Sequence, residues 1–232
     1  MGKSAGEKKE YLPLPGAPSG LRLSVLGAAV SAFAAVPGIE SIFIAVPNCP
    51  EKGEAAAREA LPPHLLAENA RVKIHFVCGG KTRSASVYNA LAQIGKLKAG
   101  VPDYVLIHDG ARPWISPALI QNILNAVKIH RAVIPLLPFT ETPKEVDSPL
   151  VGGEAVLVKQ HLKRALAGVA QTPQAFAFSD ILHAHDKAKR LEKQTGVEFT
   201  DDAEVWSALC GPVYAIAGDP RNRKITFAED LC

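Results

Sequence analysis

Short apolar segments rich in β-branched residues alternate with helix-like segments along most of this 232-residue chain. The strand-like runs are 41–46, 72–77, 104–108, 132–137 and 213–217. Apolar residues at helical spacing predict helices at about 21–36, 51–60, 83–95, 116–130, 179–193 and 201–209. Strands separated by helices form βαβ units. We therefore expect an α/β fold, Rossmann-like, with a mostly parallel sheet and helices on both faces.

The region 140–162 interrupts this alternation. Pro143, Pro149 and the pair Gly152 and Gly153 lie between short polar and β-prone segments, a pattern typical of a hairpin. The length suits one large α/β domain. We expect a single domain over residues 1–232 that carries a protruding β-hairpin arm.

Composition limits the classes of partner. The net charge of +3, from 26 basic and 23 acidic residues, is too small to indicate nucleic-acid or membrane binding. The four cysteines show neither zinc-site nor disulfide-framework spacing, which favours reduced thiols. No secretory signal opens the chain, and the apolar run 21–36 is too short for a membrane span. The sequence predicts a soluble, cytoplasmic protein.

The most informative segment is 105–113, which runs an apolar strand directly into Asp109 and Arg112. Because ligands of open α/β sheets bind beyond the carboxyl ends of the strands, these two side chains indicate a site for a charged ligand. Ser116 and Pro117 then suit the N-cap and first position of a helix. An alternative interpretation is a plain turn in which Asp109 and Arg112 only pair with each other.

Several motifs occur in one order along the chain. They are KKEYL at 8–12, GGKTRSASVYNAL at 79–91, HDGARP at 108–113, ETPK at 141–144, QTPQAF at 171–176, TDDA at 200–203 and RKIT at 223–226. Together they resemble the 2-C-methyl-D-erythritol 4-phosphate cytidylyltransferases of the non-mevalonate isoprenoid pathway. The resemblance covers nearly the whole chain. It implies an enzyme that transfers a cytidylyl group from CTP to methylerythritol phosphate and releases pyrophosphate.

The resemblance also assigns a nucleotide site. Lys9 and Lys224 match the family's two lysines around the α-phosphate, where cations stabilise the charge of the reacting group. Asp109 matches an aspartate close to the nucleotide that orients the ribose or holds the cofactor Mg²⁺. The remaining nucleotide-binding positions are Gly79, Gly80, Ser86 and Gly110.

The glycine pair has a simpler alternative interpretation. Gly79 and Gly80 also suit a turn before a helix that is capped by Thr82 or Ser84. The two interpretations are compatible. Arg83 lies in the first turn of that helix, where a positive charge is unfavourable for the helix dipole, which favours a functional role.

Some polar residues near the end of the chain need no ligand. Asp201 and Asp202 fall in the first turn of a predicted helix, where negative charge is favourable, with Thr200 or Asp201 as its cap. His183 and His185 are two positions apart on another helix and so face different sides, which argues against a shared metal site.

The acceptor site follows from the same match. Arginine suits a dianionic phosphate because its planar fork donates two parallel hydrogen bonds. Lys163 stands where the family has an aspartate and can share the role of its neighbour. The implied acceptor-binding residues are Arg112, Thr142, Arg164 and Thr172.

The arm has an implied role in assembly. In the family, the arm that carries the position of Thr142 reaches across a dimer. We therefore expect a homodimer with contacts from residues 140–162, since an arm with little apolar content needs a surface to lie on. The alternative is a solvent-exposed hairpin on a monomer.

The chain departs from the family pattern at its beginning. Family members start with a central strand and a glycine-rich, arginine-containing loop that wraps the triphosphate, whereas this sequence opens at Met1 and Gly2. The departure implies that neighbouring strands have unpaired backbone groups, and that CTP binding and turnover require an upstream extension. Two alternatives stay open: an acceptor such as ribitol 5-phosphate or another polyol phosphate, and a non-catalytic remnant or interaction protein.

Overall fold

The computed structural model describes residues 8–15, 23–47, 51–98 and 100–231. Its helices are Val25–Ala34 (α1), Glu51–Glu59 (α2), Arg83–Ile94 (α3), Pro117–His130 (α4), Phe178–Thr195 (α5) and Asp202–Leu209 (α6). Its strands are Ser41–Val46 (β1), Lys73–Cys78 (β2), Tyr104–Ile107 (β3), Ala132–Pro138 (β4), Lys144–Val146 (β5), Val158–His161 (β6), Gly168–Ala170 (β7), Gln174–Ala177 (β8) and Tyr214–Ala217 (β9). The predicted elements are confirmed, with ends shifted by a few residues, and the predicted start of the first helix lies outside the described residues.

Side-chain caps define where several helices begin. Ser116 accepts a hydrogen bond from the N–H of Leu119, and Pro117 is the first residue of α4, as predicted. Thr82, one of the two candidate caps, accepts from Ala85 and begins α3. Asp201 accepts from Glu204 and caps α6. Each cap satisfies a backbone donor that has no partner within its helix.

The main sheet is mixed. Strand β4 pairs in parallel with β9 on one edge and antiparallel with β7 and β8 on the other, and β8 continues antiparallel to β3. Strands β1 and β2 form a separate parallel pair. Sequence reasoning missed β7 and β8, because three or four residues without a run of β-branched side chains give no strand pattern.

A gap separates β1 from β3. A cavity of about 1170 Å³ lies between the two strands and is lined by both of them, by α1 and by α3. Among the residues described, no strand pairing joins the β1–β2 pair to the main sheet.

Helices cover both faces of the main sheet. On one face, α4 packs Ile120, Ile123 and Val127 against Val133 of β4. On the other face, α3, α5 and α6 enclose Phe176, whose ring lies 5.5 Å from that of Trp206 between centroids. Burial of apolar surface on both faces explains why β8 is fully buried despite its short length.

Residues 140–162 contain the predicted hairpin. Strands β5 and β6 pair antiparallel, and Gly152 and Gly153 of the connection have φ angles of 70° and 77°. Such positive values favour glycine because it lacks a Cβ. Leu150, Val151 and Leu157 of the arm are about three-quarters exposed at 76%, 72% and 69%. Within the described part of the chain, no helix has the length and hydrophobicity that crossing a membrane requires.

Candidate active site

Asp109 lies directly beyond the carboxyl end of β3. Its Oδ2 accepts a hydrogen bond from Nζ of Lys224 at 2.9 Å. Nε of Arg83, at the start of α3, is 3.5 Å from Oδ1, and Nε of Arg112 is 3.8 Å from Oδ2. Fold topology thus brings together Asp109 and Lys224, which lie far apart in the sequence, with two arginines beside them.

Backbone contacts hold Lys224 in this position. The N–H of Ile225 donates to the carbonyl of Ala111 at 2.8 Å, and the side chain of Ile225 is fully buried. Nζ of Lys9 donates to the carbonyl of Thr226 at 3.4 Å, so Lys9 lies beside the same segment. We refer to Lys9, Arg83, Arg112 and Lys224 as the cation cluster.

The charges of this site favour an anion. Burial opposes the ionised form of Asp109, but the hydrogen bond from Lys224 and the charges of Lys224, Arg83 and Arg112 outweigh burial and lower the pKa of the carboxyl below its ordinary value. Asp109 therefore faces three cations of the cluster, Arg83, Arg112 and Lys224. The excess of positive charge, at the carboxyl end of a strand, suits a polyanionic ligand such as a triphosphate.

Arg112 retains free hydrogen-bond donors. Its side chain is only 12% exposed, and Nη1 donates to the carbonyl of Asn222 at 2.8 Å. Nε is buried and lacks a hydrogen-bond partner among the described residues, because Asp109 at 3.8 Å is too distant. Burial lowers the pKa of Arg112, although the charge of Asp109 opposes this shift. Asp109 and Arg112 therefore do not pair only with each other, since Arg112 also bonds to Asn222 and Asp109 to Lys224.

The glycine turn after β2 is tied to the start of α3. The N–H of Gly79 donates to the carbonyl of Val46 at 2.8 Å. The N–H of Gly80 donates to Oγ of Ser86 at 2.9 Å, and the same hydroxyl donates to the carbonyl of Thr82 at 2.9 Å. Ser86 therefore shapes the turn, in addition to any contact with a base. Ser86, Arg83, Asp109 and Gly110 all line the cavity between β1 and β3.

Gly80→Ala is expected to lower the free energy of unfolding by about 1–3 kcal/mol. A Cβ at Gly80 would lie 2.4 Å from Cβ of Ala85 and 2.8 Å from its carbonyl carbon, so the turn or α3 has to shift. Gly95→Ala is the matched control at the other end of α3, where the nearest atom, Cδ2 of Leu182, is at 3.4 Å. Urea unfolding of both variants tests this, and equal stabilities would contradict it.

Thr172 is buried beneath the site. It is 6% exposed, and its Oγ1 accepts from the N–H of Asp109 at 3.0 Å and contacts Nδ1 of His108 at 3.1 Å. Nε2 of His108 contacts the carbonyl of Arg112 at 3.2 Å. These bonds are all made if Thr172 donates to Nδ1 and His108 carries its proton on Nε2. The structure gives this hydroxyl a role in fixing the loop, while its predicted contact with the acceptor stays a prediction.

His108 is expected to make the protein less stable in acid. Burial lowers its pKa from 6.5 to about 4, despite the opposing hydrogen bond to the carbonyl of Arg112 and the opposing charge of Asp109. Between these values the unfolded chain binds a proton that the folded protein excludes. Stability is therefore lost as the pH falls from 6.5 to 4, by about 3 kcal/mol. Urea unfolding across this range should show a smaller loss for His108→Gln, whereas the exposed control His64→Gln should behave as the wild type. Identical pH profiles for all three proteins would contradict the assignment.

Comparison with known proteins decides the family. The family model for 2-C-methyl-D-erythritol 4-phosphate cytidylyltransferase matches residues 2–232. The chain belongs to this family. The protein of that name from Syntrophotalea carbinolica is 36% identical over 234 residues, a match that covers 100% of this chain and 89% of that protein. The crystal structure of the Thermus thermophilus cytidylyltransferase aligns with a TM-score of 0.68 and 29% identity, covering 96% of this chain and 90% of that one.

Other relatives are longer proteins. The bifunctional enzyme IspD/IspF of Nitrobacter hamburgensis is 42% identical over 153 residues, and the match covers 66% of this chain and 35% of that protein. The Rhodopseudomonas palustris enzyme of the same name is 35% identical over 230 residues, which cover 98% of this chain and 50% of the relative. The chain thus spans about a third to a half of the length of these bifunctional relatives.

Two predicted acceptor residues lie outside the cation cluster. Thr142 and Arg164 are exposed at the base of the arm, where Nη1 of Arg164 donates to the carbonyl of Thr140 at 2.9 Å. Among the described residues, no hydrogen bond or ion pair joins either side chain to Asp109. In this member of the cytidylyltransferase family, the predicted acceptor residues therefore form two groups, one at the cluster and one at the arm.

Two buried polar residues were missed by sequence reasoning. Asn222 is fully buried, and its Nδ2 donates to the carbonyl of Thr172 at 2.8 Å. Gln171 is 2% exposed and bonds to residues 219 and 222. Both connect the segment before Lys224 to the loop that contains Thr172. Gln171 belongs to a recognised motif, but nothing local in the sequence indicates what either side chain contacts.

Proposed function

We propose that this chain transfers a cytidylyl group from CTP to 2-C-methyl-D-erythritol 4-phosphate and releases pyrophosphate. The observation that carries the proposal is the cation cluster around Asp109, in a chain of the cytidylyltransferase family. Its relative from Syntrophotalea carbinolica is named for this acceptor. The cluster supplies the charge that a triphosphate and a phosphate monoester require in order to approach each other.

The reaction is a displacement at phosphorus. A phosphate oxygen of the acceptor attacks the α-phosphorus of CTP, a new P–O bond forms, and the bond from the α-phosphorus to the bridging oxygen of the β-phosphate breaks, so that pyrophosphate leaves. Negative charge gathers at one centre during this step. Nζ of Lys9 contacts the carbonyl of Thr226, two positions after Lys224, and we assign both lysines to the α-phosphate, where fixed cations stabilise the transition state.

We assign the cofactor Mg²⁺ to Asp109 together with the phosphates of CTP. Within the described residues, no group of three or more His, Cys, Asp or Glu side chains is placed to hold a metal ion. A single carboxylate fits Mg²⁺, which commonly takes one or two protein carboxylates and completes its shell with phosphate oxygens and water. When bound, the ion neutralises phosphate charge. Asp109 is kept ionised for this role by its cationic neighbours.

The other groups bind the ends of the two substrates. We assign the cytosine base to the turn at Gly79 and Gly80, where missing side chains allow close approach, with Ser86 and Gly110 beside it. The acceptor phosphate is assigned to Arg112, whose planar guanidinium suits a dianion. Thr142 and Arg164 are assigned to the acceptor from the base of the arm, and Thr172 supports the loop between Asp109 and Arg112.

The test is a product assay with matched acceptors. The protein is incubated with CTP and Mg²⁺ and with methylerythritol phosphate, ribitol 5-phosphate or no acceptor, and cytidylyl products and pyrophosphate are quantified by mass spectrometry. Magnesium-dependent product with methylerythritol phosphate alone supports the proposal. Product with ribitol 5-phosphate alone would change the acceptor. Absence of both product and calorimetric CTP binding would overturn the function for this chain.

We also propose a homodimer in which the arm contacts the partner. Its support is the exposed apolar surface of Leu150, Val151 and Leu157, since contiguous exposed apolar residues commonly mark an interface. Light scattering at micromolar concentration should give about twice the chain mass of 24.6 kDa. Leu157→Glu should shift the mass towards one chain, while Val197→Glu, an exposed control outside the arm, should not. A wild-type mass of one chain would rule out the dimer.

A further inference from the structure

Asp202 is a fully buried charged residue that the reaction described above does not use. It is 0% exposed at the first position of α6. Its Oδ2 accepts from Nη2 of Arg83 at 2.7 Å, and its Oδ1 lies 3.1 Å from Nε2 of His185, whose side chain is 1% exposed. A buried carboxylate is costly unless it is paired and hydrogen-bonded. Both of its oxygens are committed to these partners.

The start of α6 does not explain this arrangement. Asp201 already caps the helix by accepting from the N–H of Glu204 at 2.8 Å. Negative charge at a helix start is favourable on the surface, without burial. The hydrogen bonds of the Asp202 side chain go to α3 and α5 instead of to its own helix. Its position is therefore explained by Arg83 and His185.

Arg83 joins the buried carboxylate to the candidate active site. One edge of its guanidinium is held by Asp202, and Nε faces Oδ1 of Asp109 at 3.5 Å. The side chain is 38% exposed and lines the cavity between β1 and β3. Among the described residues, nothing accepts a hydrogen bond from Nη1. Because the fork is planar and rigid, fixing one edge also fixes the direction of the remaining donors.

We propose that Asp202, oriented by His185, is a positioning residue that holds Arg83 as a ligand for the phosphates of the bound nucleotide. The inference rests on the proposed function for the identity of that nucleotide. Arg83, next to Oδ1 of Asp109, then contacts the triphosphate beside Lys224, which lies next to Oδ2. Asp202 and His185 do not touch the nucleotide themselves. They act through the guanidinium.

A double-mutant cycle separates positioning from a purely structural role. The proteins are wild type, Arg83→Met, Asp202→Asn and the double variant, and calorimetry measures the dissociation constant of CTP with Mg²⁺. Each single variant is expected to weaken binding by about 10- to 100-fold, the range for loss of a charge-assisted hydrogen bond. The double variant should bind as weakly as Arg83→Met alone, because Asp202 acts only through Arg83. Additive losses, or unchanged affinity in Asp202→Asn, would overturn the proposal.

The contribution of His185 is tested by comparing a conservative substitution with one that removes the hydrogen-bond donor. His185→Gln keeps a donor towards Oδ1 of Asp202 and should bind CTP within about 3-fold of the wild type. His185→Leu removes the donor and should lose about 10-fold. Arg190→Met breaks the exposed Arg190–Asp186 pair on α5 and is the matched control, expected to leave affinity unchanged. Equal affinities for the glutamine and leucine variants would exclude His185 from the mechanism.

A measurement without nucleotide distinguishes failure of this inference from failure of the proposed function. Nitrogen-15 NMR of the arginine side chains reports whether the Arg83 guanidinium rotates freely. Separate Nη signals are expected in the wild type and in Arg190→Met, and a merged signal in Asp202→Asn. If the wild type binds no CTP but shows this pattern, the proposed nucleotide is wrong while the anchoring of Arg83 stands. A merged Arg83 signal in the wild type would overturn the anchoring.

Discussion

Replacement of Lys224 by methionine is expected to lower kcat/KM for cytidylyl transfer by roughly 100- to 1000-fold, as for loss of one preorganised group that stabilises the transition state. Nζ of Lys224 is 2.9 Å from Asp109 and is held there by the buried Ile225 and its bond to Ala111. Methionine keeps an unbranched apolar side chain but removes the charge. Steady-state rates of pyrophosphate release, with CTP and acceptor varied in turn, measure the effect.

The control for this exchange is Lys96→Met, which removes an exposed lysine outside the cation cluster. Both variants lower the net charge of the chain by one, so only the local effect differs. Thermal unfolding of each variant shows whether the fold is retained. A loss of less than about 3-fold for Lys224→Met, in a folded protein, would remove Lys224 from the catalytic group.

Replacement of Gln171 by leucine is expected to lower the free energy of unfolding by roughly 3–5 kcal/mol, since several buried hydrogen bonds are lost together. Nε2 of Gln171 donates to the carbonyls of Asp219 and Asn222 at 3.0 and 3.1 Å, and Oε1 accepts from the N–H of Asp219 at 3.1 Å. Leucine makes none of these bonds, so the N–H and carbonyl of Asp219 lose these partners, while the carbonyl of Asn222 keeps its bond from Arg112. A Cβ at Gly218 would lie only 2.6 Å from this Oε1, so Gln171 packs directly against the backbone of Gly218.

The same exchange is expected to reduce activity beyond its effect on stability. Residues 219–222 lead directly to Lys224, and the carbonyl of Asn222 also accepts from Arg112. Loosening this loop moves two members of the cation cluster. Urea unfolding and rate assays at a temperature where the variant stays folded test both effects. Gln93→Leu, at an exposed position of α3, is the control. A stability loss below about 1 kcal/mol would contradict the assigned role of Gln171.

The elements with regular patterns could be predicted from the sequence. Strand β3 and helix α4 follow from a β-branched run and from Ser116 and Pro117, because local chemistry decides where each begins. Asp109 was found because a charged residue directly after a buried strand has few reasons to be there other than a ligand. Its neighbour Lys224 came from a family motif, and only the fold shows that the two side chains touch.

The contacts that depend on tertiary structure could not be predicted. Asp202 was interpreted as a favourable charge at a helix start, since no local pattern reveals that it reaches Arg83 on α3, 119 positions away in the sequence. The hydroxyl of Thr172 contacts Asp109 and His108, which no local pattern indicates, while its predicted contact with the acceptor stays a prediction. Strand β8 escaped notice because its identity as a strand comes from pairing on both edges, which is a property of the folded sheet.

The gap between β1 and β3 has a consequence for how the molecule opens. Backbone hydrogen bonds hold β1 to β2, but strand pairing does not connect these strands to the rest of the sheet in the described regions. What joins the two parts is side-chain packing, with Phe33 of α1 on one face and Val87 and Leu91 of α3 on the other. Amide hydrogens of β1 and β2 should therefore exchange with solvent through a local opening that leaves β4 intact, at a free energy below that of global unfolding.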